Sequence, residues 1–71
     1  MTNATDRQVE AALGIMKAIA EAIRELGEVP NGHLYARVMD HIDYENYAAV
    51  IAALKRAGVV EEKAHLLRWI G

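Results

Sequence analysis

Residues 43–70 read DYENYAAVIAALKRAGVVEEKAHLLRWI, and this stretch decides the fold. Tyr47, Val50, Ile51 and Leu54 are spaced three, one and three apart, which puts them on one face of a helix. Asp43 stands in front of that helix, where a short carboxylate can accept from a free backbone N–H. Lys55 and Arg56 fall in its last turn, where cations suit the helix dipole. Gly58 supplies the stop. Beyond it, residues 59–61 and 65–70 predict two short strands, with Glu62, Lys63 and Ala64 as the turn. If Leu67 and Trp69 face the core, Leu66, Arg68 and Ile70 face outward, because strand side chains alternate. Trp69 is then the anchor of the hairpin.

Working upstream, residues 32–41 predict a short helix with Leu34, Tyr35, Val38 and Met39 turned inward. Asn31 is its expected cap. Residues 28–32 read as a connector, because Pro30 pushes Val29 out of helical geometry. Residues 5–26 predict a long first helix. Thr5 and Gln8 have capping-box spacing at its start, and Gly27 can end it in the left-handed conformation. Two apolar stripes run along it: Val9, Leu13, Met16, Ala20 and Ile23, and Ala12, Ile15, Ile19, Ala22 and Leu26. One stripe covers a small core. The second predicts a homodimer seam around Ile15, Ile19, Ala22 and Leu26. The alternative is a single wide face buried within one chain.

The chain has 71 residues, the size of one domain. A domain this small buries only about 60% of the surface its unfolded chain exposes. There is no cysteine, so no disulfide or thiolate-bound metal can supplement the core. Net charge is −2. The first 29 residues hold Arg7, Lys17 and Arg24 against five acidic residues, whereas residues 30–71 are balanced at five of each sign. Apolar runs are broken by Lys17, Glu21 or Arg24, so no membrane span is expected. The polar opening MTNATDRQ does not resemble a signal peptide, and with the absence of cysteine it predicts a cytoplasmic protein.

Catalytic chemistry finds little footing. Serine and cysteine are absent and the only threonines are Thr2 and Thr5, which argues against a nucleophilic triad. His33 and His41 lie roughly 12 Å apart along one helix, too far to share a metal. His41 with Asp40 and Asp43 is at most a weak site, and His65 flanks a strand. Capping accounts for Asp43 better than acid–base work does. Tyr35, Tyr44 and Tyr47 lack an interleaved basic stripe and read as core packing rather than base stacking. No cofactor, no metal and no small-molecule substrate are expected, and no enzymatic activity.

Residues 31–70 resemble the winged helix-turn-helix superfamily, of the kind seen in MarR-like and ArsR-like small bacterial regulators. The segment LKRAGVVEE followed by HLLRWI carries the resemblance. It implies a small α+β winged helix across residues 1–71, three helices followed by a C-terminal β-hairpin. Residues 5–26 would be a dimerisation helix, 31–57 the helix-turn-helix and 59–70 the wing. It also implies gripping a macromolecule, either a protein or duplex DNA. A DNA regulator would set Arg37, Lys55, Arg56, Lys63 and Arg68 on phosphates. The outer face of the recognition helix, however, carries Glu45, Ala49, Ala52, Ala53 and Arg56. Alanine cannot read a donor–acceptor pattern, and a neutral module must gather its few cations on one face. A protein-interaction module using Ala49, Ala52, Ala53, Leu66 and Ile70 is therefore the favoured expectation, with small side chains and exposed branched ones forming one patch.

Overall fold

The computed structural model describes the backbone from residue 4 to residue 71 and side chains from residue 13 onward. Within those limits the chain is a small α+β protein of three helices and a three-stranded antiparallel sheet. The elements run α1 (Ala4–Leu26), β1 (Glu28–Pro30), α2 (Asn31–Val38), α3 (Tyr44–Arg56), β2 (Val60–Lys63) and β3 (Leu66–Trp69). The capping box at Thr5 and Gln8, and the stripe positions Val9 and Ala12, fall outside the described side chains.

The helix ends follow local chemistry. Gly27 sits at φ +76° and its N–H donates to the Ile23 carbonyl at 2.8 Å, closing α1. Asp43 caps α3, its Oδ1 accepting from the Asn46 N–H at 2.8 Å. At the other end the Gly58 N–H donates to the Lys55 carbonyl and the Val59 N–H to the Leu54 carbonyl. That paired arrangement needs a left-handed residue, and Gly58 supplies it at φ +77°.

Residues 28–30 are a strand, not a connector. Extended geometry at Pro30 and the restriction it places on Val29 leave the segment straight. β3 then binds it, pairing Glu28, Val29 and Pro30 with Arg68, Leu67 and Leu66. β3 is therefore the central strand, in the order β1-β3-β2. Pro30 is tolerated because β1 is an edge.

The hairpin also departs from expectation. β2 runs on through Glu62 and Lys63, and the turn is the two residues Ala64 and His65, at φ 52° and 64°. Two consecutive positive φ values give the turn whose twist matches paired strands. Neither residue favours that conformation, but the His65 carbonyl accepts the Asn31 N–H at 2.8 Å and pins the loop.

Every element contributes to one core: Ile19 and Ile23 from α1, Val29, Leu34, then Tyr47, Ile51 and Leu54 from α3, Val60 and Leu67. Ile19 and Ile23 come from different predicted stripes, yet both are wholly buried. Between Ile15 and Ile23 the two stripes share one face against the core, which takes Ile19 out of the predicted dimer seam, whereas Leu13 and Leu26 stay half exposed. α2 is shorter than predicted, and Met39 beyond its end is 55% exposed rather than turned inward.

Two outcomes check this packing. Ile19→Asp should prevent folding, because an unpaired carboxylate would enter a sealed core; a cooperative melt near the wild-type temperature would contradict it. Replacing Ala64-His65 by Asn-Gly should stabilise the protein by about 1–2 kcal/mol in urea unfolding by removing the left-handed strain, whereas a loss of stability would mean the turn is differently built.

Candidate macromolecule-binding surfaces

A shallow groove runs between α3 and the hairpin. Tyr44, Ala48, Ala52 and Lys55 line it from α3, Glu62 and His65 from the hairpin, and Asn31 and Tyr47 from its end. Asn31 does not cap α2; Pro30 occupies the cap position with no side-chain bond. The Asn31 amide points into the groove instead. Its Nδ2 donates to Glu62 Oε2 at 3.0 Å, and its Oδ1 accepts from the Tyr47 hydroxyl. The second Glu62 oxygen accepts from Lys55 Nζ at 3.0 Å. One carboxylate thus ties the start of α2, the end of α3 and β2 together.

These contacts set the acidity of both groups. Hydrogen bonds from Lys55 and Asn31 hold the Glu62 carboxyl below its ordinary value. Burial pushes the Tyr47 hydroxyl up to about 12, with the charge of Glu62 adding to the effect. Tyr47 also packs with Tyr35 and Tyr44, at ring-centroid separations of 5.0 and 6.4 Å. Rings this close leave no room for a cation or base between them. Tyr44 alone among the three is largely exposed, at 64%.

The predicted phosphate contacts do not gather. Lys55 is bound to Glu62. Arg68 lies on the outer sheet face, 3.8 Å from Glu61 and paired in register with Glu28 on the other side. An exposed pair like this contributes at most about 1 kcal/mol. Its importance is the sign: the row Glu28–Arg68–Glu61 is net negative toward an approaching phosphate. Lys63 shares that outer face with Leu66. Arg37 borders a different groove, between α1 and α2, and Arg56 is exposed at the end of α3.

The predicted protein-contact residues separate as well. Ala52 lines the α3–hairpin groove, Ala49 is exposed on the outer side of α3, and Ala53 is half-buried. Leu66 is half-buried on the far face of the sheet, and Ile70, just past β3, is 49% exposed. Alternation of inward Leu67 and outward Arg68 holds, but the sheet stands between Leu66 and the alanines, so they make no single patch. Of the seam residues, Ala22 and Leu26 border the α1–α2 groove and Ile15 packs half-buried against the core. The Asn31–Tyr47–Glu62 contacts had no local sequence signal, since their members are up to 31 positions apart.

Among the described residues no cluster of histidine and acidic side chains could hold a metal, and no helix is long and apolar enough to cross a membrane. No family model matches the chain, and neither curated proteins nor solved structures give a match.

The pKa directions fix two pH limits. The folded Glu62 carboxyl is more acidic than the unfolded one, so its contribution is present above the ordinary value of 4.5 and is lost as pH falls through the lowered folded value. Glu62→Gln should flatten the acid limb of a stability–pH curve; an unchanged limb would contradict the carboxylate tie. Tyr47 has the opposite window. Its contribution is complete below 10.0 and is lost as pH rises towards about 12. Tyr47→Phe should flatten that alkaline pH dependence, read as the change in urea unfolding free energy between neutral and alkaline buffers.

Proposed function

We propose that this chain is a non-enzymatic winged-helix module whose partner is another protein rather than DNA. The winged-helix reading is supported by the order helix, strand, helix, helix, hairpin, with the first strand returning against the last. The choice of a protein partner is supported by one observation: of the five cations available for phosphates, Lys55 is hydrogen-bonded to Glu62 and Arg68 lies between carboxylates of the same chain. Arg37, Arg56 and Lys63 remain, on three separate surfaces. DNA affinity comes largely from neutralising phosphates together along one face, and three scattered cations beside a net-negative row supply little of it.

The α3–hairpin groove suits a protein better. Its two charges cancel, Ala48, Ile51 and Ala52 supply apolar lining, and the exposed Tyr44 stands beside them. Tyrosine buries a large, stiff surface and carries a hydroxyl that can bond at the edge, which is why it recurs at the energetic centres of protein interfaces. The perturbed groups support no catalytic role, because the shifts at Tyr47 and Glu62 follow from their packing and hydrogen bonds.

A titration of labelled protein with random duplex DNA at low salt separates the readings. The wild type should give no amide shifts in α3 or the hairpin. The Glu61→Gln/Glu62→Gln variant, with Lys55 and Arg68 released, should gain weak binding that falls steeply with salt. Wild-type shifts clustered on α3 and the hairpin would overturn the proposal. A silent double variant would overturn the argument that the carboxylates withhold these cations.

A further inference from the structure

We infer that the groove between α1 and α2 receives a second copy of this chain. Ala22, Leu34 and Val38 line the groove; Glu25 and Leu26 border it on α1, and Arg37 borders it on α2. Leu26 is 50% exposed, and Met39 follows Val38 directly as the residue that closes α2, more than half exposed. A large apolar side chain left exposed on the rim of a groove, with another one residue beyond its lining, marks a contact surface.

The charges select the occupant. Glu25 stands on one rim and Arg37 on the other, and neither has an ion-pair partner among the described residues. A two-fold axis running along the groove lays α1 of one copy over α2 of the other. Each Glu25 then meets the partner's Arg37, and each Leu26 meets the partner's Val38 and Met39. The surface is its own complement, as a symmetric interface requires. A partner carrying one sign of charge would be repelled by one rim. This seam keeps Ala22 and Leu26 but excludes Ile19, which the core has sealed. It lies on different elements from the α3–hairpin groove, so it stands or falls independently of the protein-partner reading.

The test is a charge-reversal set followed by sedimentation equilibrium up to about 1 mM. Wild-type protein should associate to a dimer. Glu25→Arg alone places two arginines together in each contact, and Arg37→Glu alone places two glutamates together. Each should weaken dimerisation tenfold or more. Mixed in equal amounts, the two variants should pair with each other, and the double variant E25R/R37E should regain wild-type association. If either reversal fails to fold by circular dichroism, Leu26→Asn at the exposed rim replaces it, and weakened association is again the expected result. A wild type that stays monomeric, variants that associate as the wild type does, or a mixture that stays monomeric would each overturn the inference.

Discussion

The carboxylate of Glu62 is the junction on which the rest of the molecule depends. It stands on β2 and takes one hydrogen bond from the start of α2 and one from the end of α3. The Tyr47 hydroxyl completes the connection by donating to the same Asn31 side chain. A small domain has little apolar area with which to hold its parts together. A polar tie whose members are all partnered adds orientation where the core alone would leave helices free to slide. No buried side-chain polar atom among the described residues lacks a partner, so the tie carries no desolvation penalty of the kind an orphaned group would bring.

The same bond shapes the surface. By holding Lys55, Glu62 removes the α3 cation that reaches the hairpin from service on a phosphate, and the groove around it becomes electroneutral. The outer sheet face repeats the pattern with Arg68 between two glutamates. The scaffold has the layout of a nucleic-acid reader in our proposal, but the charges are turned inward on one another. Large apolar side chains stay exposed at both grooves, Tyr44 at one and Leu26 at the other. Surfaces of that kind gain from shape and dehydration rather than from counterion release.

Much of the fold was legible because its signals are local. Asp43 caps α3 and Gly58 stops it through bonds that reach no further than a few residues. The core face of α3 followed from helical spacing alone, and Tyr47, Ile51 and Leu54 are buried as expected. Non-local features were not legible. β1 has three residues and exists as a strand because β3 pairs with it. The turn at Ala64 and His65 lacks the glycine or asparagine that normally betrays a left-handed pair, so sequence alone ends the first strand early and puts Glu62 in the turn. Periodicity shows that α1 is amphipathic but not how wide its buried face is, so it does not separate the core position Ile19 from a seam position. The cations of the candidate site were visible as residue types; their carboxylate partners were not, because pairing depends on the register of strands and on a contact across the groove.

The most direct measurement is the carboxyl carbon shift of Glu62 followed by NMR as pH is lowered, in the wild type and in Lys55→Met. The account predicts a wild-type midpoint below that of an ordinary glutamate, rising toward the ordinary value once the ammonium is gone. A midpoint at the ordinary value, indifferent to Lys55, would contradict it.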